Sequence, residues 1–591
     1  MSYFDSASLV MIPSGYKDQK VYSVKPIDGS GDFTFTRSND TATRVASNGL
    51  IEKVRTNALL QSNSFDTTWG LVLLSTTSGQ TDPDGGTTAW KISETTNDLA
   101  GYAYIGQTIS SNTFSFYAKA GEITEICAYI GGSRGAYFDL TDGSFVGYYS
   151  GVTDFTYNSI SVGGGWYRYS ISHSGLVAAE IYTAESGSIY HDLVIGDGFY
   201  LWHAQAEASD VATDYIATTS AAVSVGMLAN TPRLDYSGGA SCPKLLLEPQ
   251  TTALNQFSEQ IDNAYWFKAN CTVTANQTAS PSGYVDADLV LDNTVNNQHS
   301  ISRSIAVTSG NKYTASFFLK AAGYTTAAIR MGAGSLWTGG TGPTVEFDLV
   351  ALTGTVVDGS GVTFTIEDYG NGWRRCSVTG TCVTSGNTAY SLYVKQYNAY
   401  IGSGTDGVYA WGANITATDY LQSYIPTLEA AVTRVIERFN KTGISSLINS
   451  QEGTFFVEMA TFSDNVGTRI LSLSDGSVNN NLYIGYTPTT NRISAVFSSG
   501  GTAQAALNTT AFNITEQNKI AVSYKTNEFK MYVNGTLIGT DTSVTMPAAG
   551  TLSQLKSDFG QGSFPLEASL KQAIIFPTAL TDAQLAELTT L

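Results

Sequence analysis

The chain has four histidines, His173, His191, His203 and His299, among its 591 residues. None stands in an H-x-x-x-H or related spacing, so a metal-hydrolase site is not expected. No G-x-S-x-G nucleophile elbow supports a Ser-His-Asp triad among the scattered candidates. Cleaving a glycosidic bond needs two carboxylates across a cleft, one of them tuned as an acid. A strand reading Glu-x-Asp-x-x-Glu would supply them. Glu452 and Glu458 flank one apolar run, but no Asp lies between them. The expectation is therefore a protein that is not an enzyme.

Binding chemistry is better represented than catalytic chemistry. Aromatic faces suit the C–H faces of sugars, and the chain has 34 Tyr, 26 Phe and 8 Trp. Tyr483, Tyr486, Tyr524 and Tyr532 are the candidate ligand-binding rings, although alternation along a strand must turn some of them inward. The loop Asp475-Gly476-Ser477 with Asn479, Asn480 and Asn481 carries oxygen donors of the kind calcium uses. A plain polar turn is the preferred reading there, and no cofactor is expected. Five cysteines without paired C-x-x-C spacing argue against a disulfide framework or a zinc site. Cys376 and Cys382 could pair across a turn; buried free thiols are the simpler reading.

The elements that must position these residues come in two copies. GDGFYLWHAQAEASDVATDYIATT from Gly196 returns as TDGVYAWGANITATDYLQSYIPT from Thr405. Trp202 matches Trp411 and Tyr215 matches Tyr424, both at an offset of 209. GGGWYRYSIS returns as GNGWRRCSVT, matching Trp166 with Trp373 and Arg168 with Arg375. Trp69 and Trp266 mark the start of each copy. A whole domain is duplicated in tandem. The paired Trp residues read as core aromatics, since a repeated architecture needs repeated buried area more than repeated ligand contacts. Arg168 and Arg375 are expected to pair locally with Asp139 and Asp348.

Only 14% of residues are charged; Gly, Ser, Thr, Asn and aromatics fill the difference. That is the composition of strands and tight turns. A net charge of −19 repels phosphate backbones and anionic headgroups, which disfavours nucleic acid and membrane surfaces as partners. No signal peptide and no spanning apolar run is expected.

The expected organisation follows the chain. Residues 1–54 are a short β-rich segment that needs a partner, read as an attachment or oligomerising piece. Residues 55–225 are the first repeat and 251–435 the second, each with many short strands, as in a jelly roll. Residues 226–250 are a proline-bearing linker whose Glu248 echoes Glu52. Residues 436–591 are a different sandwich. It has a hairpin at Asn534-Gly535 and a capping box at Thr581–Gln584 that opens a short terminal helix. The segment LEAAVTRVIERF is expected to be extended, like its counterpart SAAVSVGM.

The fragments GTFFVEMA, YKTNEFKMYVNGTLIGT and LKQAIIFPTALTDAQLAEL resemble the concanavalin A-like (laminin G-like) lectin fold at the ends of many bacteriophage tail proteins. The repeats, with early Trp, FYAKA, GWYR and YLWGAQ-like patterns, resemble carbohydrate-binding-module jelly rolls. TRVASNGLIEKVRTNALLQSNSFDTTW resembles the lead-in of phage tail fibres. The expected fold is all-β: tandem duplicated jelly-roll β-sandwiches, then a concanavalin A-like β-sandwich with a short C-terminal helix. The resemblance implies a phage virion fibre or adhesin, a homotrimer joined to other virion proteins through its N-terminus. Such a protein would bind a host cell-surface glycan or receptor, and would be made in the host cytoplasm and released by lysis. A purely structural virion component (head fibre, collar or adaptor) is the alternative, and a surface-polysaccharide depolymerase the second.

Overall fold

The computed structural model describes residues 2–17, 19–464, 467–510 and 512–591. The chain is all-β apart from a few short helical turns and the helix Asp582–Thr589, which opens with the expected Thr581–Gln584 capping box. No helix among the described residues is long and apolar enough to cross a membrane. The five cysteines are free.

The chain divides into two compact units. Residues 54–226 with 284–286 form the smaller; residues 1–53, 227–283 and 287–591 form the larger. The first repeat is therefore an insertion: the chain leaves the larger unit after Lys53 and re-enters it at Met227.

In the smaller unit, two long strands, Tyr104–Lys119 and Trp166–Ala184, pair along almost their whole length. Their register shifts near Ser111, and the halves on either side meet different neighbours. One half meets Gly198–Glu207 and the other Glu125–Gly131. Alternation puts Phe114 and Phe116 on one face, and both are fully buried. Entry and exit are antiparallel neighbours, with Arg55 opposite Val225 and Asn57 opposite Val223.

The larger unit contains the second repeat and the C-terminal sandwich. The repeat has two layers, one of eight strands and one of six. One is centred on Gly407–Thr416 and Lys312–Ala322, the other on Gly386–Tyr393 and Thr326–Met331. Its core includes Trp266, Phe317, Ile329, Val345 and Leu392. The duplication extends to detail. Trp69 Nε1 donates to the Gln61 carbonyl and Trp266 Nε1 to the Phe257 carbonyl, each at 3.0 Å. Gln61 and Phe257 both have φ near +50°. Ser62 and Tyr215 share a hydrogen bond, as do Ser258 and Tyr424.

The C-terminal sandwich packs Glu452–Thr461, Asn518–Lys525 and Ala568–Phe576 in one sheet against Arg469–Ser474, Asn481–Tyr486 and Ile493–Ser499 in the other. The Asn534-Gly535 turn joins Glu528–Val533 to Thr536–Asp541 with φ of 49° and 79°, a primed hairpin turn. Val432–Arg434 is extended, as expected.

Two expectations about boundaries are corrected. Residues 1–54 do not stand apart. Leu9–Met11 pairs with Ala568–Phe576, and Phe33–Thr36 pairs with Arg438–Thr442. Residues 226–250 are not a bare linker: Lys244–Leu247 pairs with the other end of Ala568–Phe576. Leu9, Met11, Val21, Phe33, Phe35, Leu234, Leu245 and Leu247 share one core with the C-terminal strands. Each such side chain contributes about 1.5–3 kcal/mol on burial, so these segments are integral to the sandwich.

Candidate functional site

Three of the four candidate tyrosines are structural. Tyr486 and Tyr524 are fully buried, and their hydroxyls donate to the carbonyls of Met459 and Asn449. Tyr532 is 5% exposed and packs with Phe456, Phe576 and Leu585 beneath the terminal helix. Only Tyr483 reaches the surface; it is half-buried, with its ring edge-on to Phe559 at 5.4 Å. Trp69, Trp166, Trp202, Trp266, Trp373 and Trp411 are all buried.

The polar loop is occupied by its own hydrogen bonds. Asp475 accepts from the Ser477 N–H and from Asn480 Nδ2, both at 2.7 Å. Among the described residues no group of three His, Cys, Asp or Glu could hold a metal.

The arginine pairings also differ from expectation. Asp139 and Asp348 close their own turns, accepting from the backbone N–H of Thr141 and of Val350 and Ala351. Arg168 donates to Ser115 and the Thr213 carbonyl and lies over the Tyr117 ring. Arg375 lies over the Phe318 ring at 5.1 Å. Strand register explains this: Arg375 faces Phe318 on one side and Glu367 on the other, so its side chain stands on the outer face of the sheet, away from Asp348.

That outer face forms one wall of a cleft of about 920 Å³ within the larger unit. Glu367, Tyr369 and Arg375 come from the second repeat, Asp235 and Tyr236 from the returning segment, and Phe462 from the C-terminal sandwich. Arg375 is 3% exposed, and its Nε has no hydrogen-bond partner among the described residues. Glu367 keeps an exposed side chain at the cleft; the protein around it displaces water and raises its carboxyl above the usual carboxylate range, with Arg375 opposing the rise and Asp235 adding to it. The Tyr369 hydroxyl is raised by burial and by Glu367. Its ring meets Phe318 edge-on at 4.9 Å. Asp235 is held by the N–H groups of Val45 and Ser237. Beside the cleft, Tyr420 stacks on Phe462 with centroids 5.6 Å apart.

A guanidinium with a free N–H, a carboxyl whose oxygens accept, and aromatic walls can bind hydroxyl-rich or mixed polar ligands by hydrogen bonds and stacking. Sequence reasoning missed Glu367 and Tyr369. The available signal was the alternation in TFTIED, folded back on WRRC across the turn DYGNG, which sets Glu367 beside Arg375.

Residues 441–586 match the family described as the concanavalin A-like lectin/glucanases superfamily. The fold is similar to the CBM40 of a Ruminococcus gnavus IT-sialidase bound to α2,3 sialyllactose (18% identity, 24% of this chain and 83% of that one, TM-score 0.22). It is similar to domain 4 of the Geobacillus stearothermophilus arabinanase AbnA with arabinotriose (13% identity, 27% and 78%, TM-score 0.22). The same holds for a botulinum neurotoxin type C structure described by its interaction with two ganglioside molecules (13%, 26% and 39%, TM-score 0.22). Scores this low carry nothing about the ligand. A comparison with curated proteins found no match.

Proposed function

We propose that this protein is a non-enzymatic adhesin, a virion fibre of a tailed bacteriophage that binds a host cell-surface glycan or receptor. The observation that carries the reading is the cleft beside the lectin-like domain, where Glu367 and Arg375 stand side by side and Tyr369 and Phe462 also line the walls. Such a site offers hydrogen bonds and stacking. Single sugar contacts are weak, and linked copies in a homo-oligomeric fibre supply avidity. The phage assignment rests on the resemblance of the lead-in and repeat patterns to tail-fibre sequences.

The test is adsorption competition with the full chain. Added to host bacteria ahead of the virus, the wild-type protein blocks adsorption, and a Glu367→Gln/Arg375→Ala variant with an unchanged melting profile blocks at least tenfold less well. If the folded wild-type chain does not block, the adhesin reading fails and a structural virion role replaces it.

A further inference from the structure

We infer that the first repeat carries a second binding face, a tyrosine-paved sheet surface that takes a neutral oligosaccharide. In the smaller unit, strand register sets Tyr104 opposite Tyr182, Gly106 opposite Glu180, Glu180 opposite Tyr129, and Tyr129 opposite Gly135. Cross-strand partners share a face. The alternate residues Ile105, Ile126, Ala128, Ala136 and Ile181 are fully buried in the core, so the tyrosines stand on the opposite face, where Tyr104, Tyr129 and Tyr182 are half-buried and Tyr149 and Tyr182 pack on a small cluster of Cys127, Tyr137, Ala184 and Ile189.

The rings form one connected surface. Tyr104 stacks on Tyr182 at 4.7 Å, Tyr182 meets Tyr129 at 5.8 Å, and Tyr129 meets Tyr149 at 5.4 Å. Tyr102 lies 6.4 Å from Tyr182 and 5.7 Å from Tyr190. Tyr102 and Tyr190 are 43% and 58% exposed. The floor is built to fit. A Cβ at Gly106 would come within 2.5 Å of the Glu180 side chain, and one at Gly135 within 3.0 Å of Tyr149. Glu180 accepts from the Tyr182 hydroxyl at 2.8 Å; burial nonetheless holds its carboxyl above the usual range.

The sister face in the second repeat identifies the ligand class by contrast. There Tyr393 pairs with Ser300 and Ala328, and Ser391 pairs with Ser302 and Arg330. Arg330 takes the place of Tyr129, lies over the Tyr397 ring at 4.3 Å and faces Asp358. The first repeat's face has phenols and a carboxylate, and none of these register pairs contributes Lys or Arg. A sulfated or sialylated chain would find no counter-charge there. A neutral sugar finds aromatic rings for its C–H faces and a carboxyl for its hydroxyls.

The experiment is calorimetry on the full chain with neutral hexaoses of the cello, malto, manno and galacto series, and with sialyllactose as the anionic probe. At least one neutral hexaose binds. Tyr102→Ala/Tyr190→Ala, changed at exposed positions and checked by an unchanged melting profile, weakens it at least tenfold. Arg330→Ala, on the sister face of the second repeat, changes it less than twofold. The inference is overturned if no neutral hexaose binds, if the double tyrosine variant binds as well as wild type, or if sialyllactose binds as tightly. It is also overturned if sedimentation shows wild type self-associating through a contact that the tyrosine variant loses.

Discussion

Arg233 Nε donates to Glu437 Oε1 at 2.6 Å across 204 residues of chain, with both side chains fully buried. Around this pair, Arg37 donates to the same carboxylate at 3.0 Å, and Arg233 and Arg434 each reach Glu248 at 2.6 Å. Three arginines and two glutamates from the N-terminal segment, the returning segment and the lead-in to the last sandwich are thus tied together inside the larger unit. Truncating one partner of a buried ion pair costs about 3–5 kcal/mol, because the others keep their desolvation penalty. Glu437→Ala should lower the larger unit's stability by about that much in urea unfolding. Arg134→Ala, which removes a surface pair with Asp154, should cost under about 1 kcal/mol.

The same network sets an acid limit. Burial works to raise the Glu248 carboxyl, but Arg434 and Arg233 outweigh it and hold the group at about 2. A carboxylate lowered on folding contributes stability that is fully present above its unfolded value near 4.3. That contribution is lost as pH falls toward 2. Acid unfolding followed by fluorescence should show the larger unit weakening below about pH 4. Glu248→Gln should be destabilised already at neutral pH, with a shallower pH slope between about 4 and 2.

Residues 436–591 alone should not fold stably. That fragment lacks Leu9–Met11, Phe33–Thr36 and Lys244–Leu247, which supply sheet partners and core side chains. It should bind a hydrophobic dye and show no cooperative melt, and supplying residues 1–53 and 227–250 in the same chain should restore one.

Excising residues 54–226 should be tolerated. The insert enters and leaves on paired strands, Arg55–Asn57 against Val223–Val225, so a short Gly-Ser bridge from Lys53 to Met227 spans the cut. The shortened chain should keep a cooperative transition, and loss of all cooperative unfolding would contradict the insertion.

His203 should make the smaller unit acid-sensitive. Its ring stacks between Trp202 at 3.4 Å and Tyr215 at 3.7 Å. Burial lowers its pKa to about 4; Asp82 opposes this and Arg168 adds to it. The unfolded chain then takes up a proton that the folded one refuses, so stability falls as pH drops from about 6.5 to about 4 and levels off below. His203→Asn, which tolerates the φ of 45° at this position, should flatten that slope in melts recorded across this range.

The sequence by itself determined the strands, the duplication, the Asn534-Gly535 hairpin and the Thr581 cap. These depend on side-chain alternation, turn chemistry and capping, which act over a few residues. Alternation also made the tryptophans core residues. It could not sort Tyr483 from Tyr486, because the phase of a strand is set by what its sheet packs against. Only the tertiary structure decided where Phe33 and Phe35 go. Their pattern demands a partner without naming it, and the partner, Phe439, lies about 400 residues away. Glu248 and Glu52 show the same limit. They occupy echoing sequence positions, yet one is buried among arginines while the other makes a half-exposed pair with Arg44. The burial of Arg375 at the cleft needed one more level, the cover that the returning segment and the C-terminal sandwich bring to a sheet's outer face, since burial is a property of the packed fold rather than of the strand.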